Sequence, residues 1–306
     1  MKIAVLSPLF SRSKELMQEL ETYFQDIRHN ADNTLKTKAD IIAFLRDVDA
    51  AIVGREEIDD EILSACGKLK ILSRYGVGLD NMDVEAMKKR GVTLGWTGGT
   101  NSNSVAELTL FLMLGLMRNT YTTSTLLKQH VWKQNGGAEL TGKTIGLFGF
   151  GNIAKRVVEL LKPFHCTILV SNRSHNEEEA QKYGVTFADK ARILKEADII
   201  SIHLPLTKES KNLFSTAEFE AMKPTSYIVN TARGGIIDEE ALKVALKTGQ
   251  IAGAGLEAFL KEPTSDWELI DLPNLMCLPH VGGNSKESIL CMGRASISHL
   301  REFFHV

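Results

Sequence analysis

Residues 144–164, TIGLFGFGNIAKRVVELLKPF, run from a short apolar stretch through a glycine turn into an amphipathic helical pattern. Gly149, Gly151 and Ala154 occupy the three positions of G-x-G-x-x-G/A. The first glycine permits a tight turn and the second lets the backbone approach a pyrophosphate. A small third residue lets helix and strand pack closely. The helix that starts at Asn152 and Ile153 then points its amino terminus at the phosphates. The spacing alone says little, because glycine turns also arise for purely structural reasons; a strand before it and a helix after it give it force.

Short β-branched runs alternate with helical patterns on both sides of this turn, as parallel sheets with crossover helices require. IAVLS, AAIVG, KILSRYG and VTLGW are the strand candidates of the first third. TIGLFGF, TILVSN, DIISIHL, YIVNTA, IAGAGLE and LMCLPH are those of the middle. The expected fold class is therefore α/β, with two doubly wound parallel-sheet domains. A Rossmann dinucleotide-binding domain over 99–282 is inserted into a flavodoxin-like substrate domain made of 1–98 and 283–306. Gly98–Gly99 and Gly282–Gly283 read as hinges, and a small ligand is expected in a cleft between domains. The stretch 101–127, NSNSVAELTLFLMLGLMRNTYTTSTLL, reads as a long helix too apolar for a simple surface position.

Composition narrows the class further. The 306 residues carry a formal net charge of -2 and are 43% hydrophobic. That is an ordinary globular balance with no basic excess to recommend a nucleic-acid partner. No uninterrupted apolar run is long enough for a membrane span, so the chain reads as cytoplasmic. Cys66, Cys166, Cys277 and Cys291 form no CxxC pair, which speaks for reduced cysteines and against a metal site.

The chemistry lies in three later frames: VNTARGGIIDEEAL over 229–242, EAFLKEP over 257–263 and LPHVGG over 278–283. They contribute Arg233, Glu262 and His280. A guanidinium can grip a carboxylate or keto oxygen through parallel hydrogen bonds, and an imidazole can supply the proton that balances hydride arrival at carbon. A neighbouring carboxylate favours the imidazolium. Taken singly, each residue also has a bland reading, as surface Arg, loop Glu-Pro or strand-end Pro-His. Where the second nucleotide strand ends, at 169–176 (LVSNRSHN), an acid would usually accept the ribose 2′-hydroxyl. Asn172, Arg173 and Ser174 stand there instead. Arg and hydroxyl donors suit a 2′-phosphate, so NADP is expected in preference to NAD, with NAD still possible.

Together these frames resemble the D-isomer-specific 2-hydroxyacid dehydrogenase family over nearly the whole chain. SRYGVGLDNMD (73–83) resembles its substrate loop, NSNSVAELTL (101–110) its interdomain helix and IHLPLT (202–207) the loop beside the cofactor. The resemblance implies a homodimer in which Arg233 binds substrate, His280 is the acid/base and Glu262 pairs with it. Thr231, Ala232, His203, Pro205, Glu257 and Gly282 would lie along the cofactor. Glu257 stands where the family usually has Asp. In the substrate loop, the Val77 and Gly78 amides would receive a carboxylate. Arg74 would add a cation or else form a surface ion pair, and Tyr75 is bulkier than the family's usual residue. Arg74, the 101–110 helix and the PHVGGNSKES ending look most like phosphoglycerate dehydrogenase, without its regulatory domain. Glyoxylate/hydroxypyruvate reduction is the alternative activity. A dinucleotide-sensing protein of the corepressor kind is the alternative of another class.

Overall fold

The computed structural model describes residues 1–306, which divide into two compact units: Met1–Asn101 with Gly283–Val306, and Ser102–Gly282. The first holds five parallel strands, β1 (Lys2–Val5), β2 (Asp26–His29), β3 (Ala50–Val53), β4 (Ile71–Arg74) and β5 (Thr93–Gly95), in the order β2-β1-β3-β4-β5. β3 and β4 are buried at every position, as expected of parallel strands covered on both faces. Their period of two splits the apolar residues between two cores. Ile3, Val5, Ile52 and Ile71 face one. Ala4, Leu6, Ala51, Val53 and Leu72 face the other. The carboxyl-terminal helix Lys286–Phe304 packs on β4 and β5. There His299 Nδ1 lies 3.0 Å from Ser73 Oγ and its Nε2 2.8 Å from Thr97 Oγ1.

The second unit is a seven-stranded parallel sheet: β6 (Thr144–Phe148), β7 (Thr167–Ser171), β8 (Thr186–Phe187), β9 (Ile199–Ile202), β10 (Tyr227–Asn230), β11 (Gly253–Leu256) and β12 (Leu275–Cys277). Their order, β12-β11-β10-β9-β6-β7-β8, reverses direction of winding between β6 and β9, so the loops that follow these two strands diverge and leave a crevice at their carboxyl ends. Six strands are expected from the sequence here and seven are found. The additional β8 is a two-residue edge strand with no apolar run to announce it.

The stretch 101–127 forms two helices, Ser102–Met117 and Thr120–Lys128, not one. Asn119 at φ 50 breaks them, and Asn is among the few residues that adopt the left-handed conformation at modest cost. The first helix buries Val105, Ala106, Leu112, Met113 and Leu116 and packs against β10, β11 and the helix Asn152–Leu161. The second buries none of its residues. No helix is long and apolar enough to cross a membrane.

Candidate active site

The nucleotide turn forms as its glycines require. Gly149 has φ +94, and a Cβ there would stand 2.5 Å from the His203 carbonyl oxygen. No side chain caps the amino terminus of the helix Asn152–Leu161, and a Cβ on Gly151 would meet nothing within 4 Å. Unused amide donors thus face open space beside the turn, which fits a pyrophosphate. Beyond the end of β7, a cavity of about 420 Å³ is lined by Ser171, Asn172, Arg173, Leu204, Pro205 and Glu209 among others, room suited to the adenosine end of a dinucleotide. The Asn172 amide donates to the Ser174 carbonyl (2.9 Å) and hydroxyl (3.2 Å), which shapes the turn. Arg173 pairs with Glu209 at 3.4 Å, both side chains being largely exposed. Glu209 is a residue the sequence reading missed, because it comes from the loop after β9, far from the strand end where an acid is usually sought.

His203 is held neutral. Burial pushes its imidazole down to about 4, and its Nε2 lies 3.0 Å from Ser201 Oγ. Thr231 is buried, with its hydroxyl 2.8 Å from that of Thr109.

The turn that carries Arg233 is built by Asn230. Its side-chain oxygen accepts from the Ala232 amide (3.0 Å) and its nitrogen donates to the Arg233 carbonyl (2.8 Å). Sequence reading passed over this Asn, although a strand-end Asn that bonds its own following backbone is a recognisable turn signal. Gly234 then lets the turn press on the next segment: a Cβ would stand 2.0 Å from both the carbonyl carbon and oxygen of Phe259. That segment leads to Glu262, whose Oε1 accepts from the Phe259 amide at 3.1 Å. Glu262 meets His280: Nδ1 lies 2.7 Å from Oε2 and 2.9 Å from Oε1. His280 has φ 51, a left-handed conformation uncommon for a residue with a side chain and often found at functional sites.

Behind this pair, Glu257 is 2% exposed and its Oε2 accepts from the Gly282 amide at 2.7 Å. Burial pushes its carboxyl up, while the charge of His280 pulls the other way. Gly282 has no room for a side chain, since a Cβ would lie 2.3 Å from Glu257 Oε1. Glu257 therefore braces the 278–283 loop.

In the first unit, the loop after β4 departs from expectation in two side chains. Tyr75 turns into the core, 6% exposed and edge-on to Phe10 at 5.5 Å, because an aromatic ring there gains more from burial than from water. It does not present its ring at the loop surface. Arg74 is 9% exposed. It donates to the carbonyls of Gly78 (2.6 Å), Val53 (3.2 Å) and Tyr75 (3.4 Å), which makes it a brace of the loop that holds Val77 and Gly78. No group of three or more His, Cys, Asp or Glu side chains converges on a metal-sized site.

Comparison with known proteins agrees with this geometry. Residues 110–282 match the model of the D-isomer specific 2-hydroxyacid dehydrogenase, NAD binding domain. The chain is 34% identical to a glyoxylate reductase of Thermococcus litoralis over 87% of its own length and 83% of that protein's. It is 35% identical to a D-3-phosphoglycerate dehydrogenase of Methanocaldococcus jannaschii, over 94% of this chain but only 54% of that longer protein. The structure of a glyoxylate reductase from Paecilomyes thermophila superposes with a TM-score of 0.88 at 27% identity, covering 98% of this chain and 94% of that one. A strand-turn-helix nucleotide site, a His280–Glu262 pair beside the Arg233 turn and likeness over the length of both units place the chain in the D-isomer-specific 2-hydroxyacid dehydrogenase family, with NAD-dependent oxidation and reduction of 2-hydroxy and 2-keto acids as its chemistry.

Proposed function

We propose that Arg233, Glu262 and His280 carry reversible interconversion of a 2-keto and a 2-hydroxy acid. The observation that carries this is the His280–Glu262 pair at 2.7 Å. Glu262 engages Nδ1, which leaves Nε2 as the atom that exchanges a proton with the substrate oxygen. Bound NAD(P)H supplies the hydride. Arg233 keeps its charge throughout and polarises the carbonyl without entering proton traffic. The Val77 and Gly78 amides, on the loop that Arg74 braces, receive the substrate carboxylate.

NADP(H) is the proposed preference, supported by Asn172, Arg173 and Ser174 at the end of β7, where no strand-end acid repels a 2′-phosphate. A homodimer is proposed from the apolar residues left exposed along 111–132. Phe111, Tyr121, Leu127, Val131 and a 78%-exposed Trp132 suit burial against a second copy. Four unpaired cysteines suit the cytoplasm. The test is nicotinamide absorbance with glyoxylate, hydroxypyruvate and longer 2-keto acids, each with NADH and NADPH. Turnover of at least one is expected. No turnover of any, with tight dinucleotide binding, would overturn the reading in favour of a sensor.

A further inference from the structure

The order β2-β1-β3-β4-β5 of the first unit places its switch point between β1 and β3, where ligands of such sheets bind at the carboxyl ends of the strands. Gly54 follows β3 directly and Ser7 lies just beyond β1. They are close: a Cβ on Gly54 would stand 2.8 Å from Ser7 Cβ and 3.2 Å from Glu56 Oε2. The loop from Gly54 to Glu56 is pinned from the other side. Asn81 donates to the Gly54 carbonyl (3.1 Å) and to the Glu56 carbonyl (2.6 Å). The Gly54 amide thus lies at the switch point, a backbone donor of the kind that can receive an anion.

That donor is already taken. Glu56 folds back and accepts from it at 2.7 Å. Burial pushes the Glu56 carboxyl up, whereas the Gly54 amide and the charge of Arg74 act to keep it ionised. Arg74 meanwhile gives its hydrogen bonds to the Gly78, Val53 and Tyr75 carbonyls. A second anionic group on a substrate would thus meet a resident carboxylate where it would want an amide, and an arginine committed to the loop.

We propose that Glu56 is a specificity-determining residue: its carboxylate occupies the anion-binding turn after β3 and so restricts this enzyme to 2-hydroxy and 2-keto acids without a phosphate or second carboxylate. This rests on the 2-hydroxyacid dehydrogenase reading above and narrows its substrate class. Glu56 is partly buried, and like charges set against one another at such a position disfavour the wrong ligand strongly, while the occupied amide removes the compensating contact.

D-Glycerate and D-3-phosphoglycerate differ only by the phosphate, which makes them the test pair. Oxidation of each and its binding to the enzyme–dinucleotide complex by calorimetry are measured for wild type, Glu56→Ser and Glu56→Gln. Wild type should favour D-glycerate in both readings. Glu56→Ser, which removes the charge and frees the Gly54 amide, should raise kcat/KM and affinity for D-3-phosphoglycerate about tenfold or more and change those for D-glycerate less than about threefold. Glu56→Gln should give a smaller gain, since it removes the charge but still fills the turn, and it serves alone should the Ser variant misfold. A wild type that prefers D-3-phosphoglycerate, or variants that shift both acids equally or neither, would overturn the proposal. If no 2-hydroxy acid is oxidised at all, the dehydrogenase reading fails, and calorimetry still decides whether Glu56 repels the phosphate.

Discussion

Gly234→Ala isolates the packing that sets the Arg233 turn against the Glu262 segment. Gly234 is not among the glycines with positive φ, so alanine brings no backbone strain and the whole cost is steric. The added Cβ would stand 2.0 Å from the carbonyl carbon and oxygen of Phe259 and 2.5 Å from the Leu260 nitrogen. Ordinary contact begins at 3.4 Å, so the two segments must part by about 1.4 Å, and backbone cannot rotate away as a side chain can. Overpacking of this kind costs about 1–3 kcal/mol, which a thermal melt would read as a fall of a few degrees. The larger effect is on chemistry. A misplacement of about 1 Å of a positioning group lowers turnover about 10²-fold, because Arg233 moves relative to the Glu262–His280 pair while each residue survives. The assay is kcat with saturating 2-keto acid alongside dinucleotide Kd and Tm. A variant that keeps near-normal kcat and Tm would refute the idea that this contact fixes the catalytic geometry.

Other substitutions should separate the remaining parts. Gly151→Ala places its Cβ in open space, so Tm should hold while the KM for dinucleotide rises about tenfold or more, as a methyl intrudes where the pyrophosphate approaches; steady-state kinetics and a melt read both. Arg173→Ala should weaken NADPH by about 1.5–3 kcal/mol, or roughly 10- to 150-fold, and leave NADH little changed, measured as kcat/KM for each cofactor. Arg233→Lys should raise KM and lower kcat together through loss of the planar fork, whereas Glu262→Gln should act mainly on kcat. His203 is neutral and buried with its pKa pushed from 6.5 down to about 4, and burial likewise lowers that of His299. Unfolding lets both take up protons below about pH 6.5. The His203 contribution is therefore intact above that pH and is lost as pH falls toward 4, by up to about 3 kcal/mol, and that of His299 declines in the same direction. Chemical denaturation across that range should show the slope, and His203→Gln should flatten it.

The sequence made the two sheets legible wherever strands are buried on both faces. Ile199–Ile202 and Ala50–Val53 are buried at every position for that reason, and only Ser201 among them is polar. Two of the four edge strands, β2 and β8, were not legible. Asp26–His29 has no fully buried residue and Thr186–Phe187 has two residues in all, so neither carries an apolar signal. The break at Asn119 is a single left-handed residue inside a continuous helical pattern, which periodicity cannot register. At the site, the pairing of Glu262 with His280 follows from frames that sequence displays. The inward turn of Tyr75, the use of Arg74 as a loop brace and the return of Glu56 onto Gly54 depend on loop geometry, which no local pattern fixes.

The central claim is that His280 moves the proton while the dinucleotide is held elsewhere, and His280→Ala tests it most directly. NADPH and NADH affinity by fluorescence titration and turnover of the best 2-keto acid at neutral pH are measured on the same preparation. Dinucleotide affinity should stay within about threefold of wild type while kcat falls about 10²-fold or more, the scale of a lost general acid. Near-normal kcat with His280 removed would contradict the account.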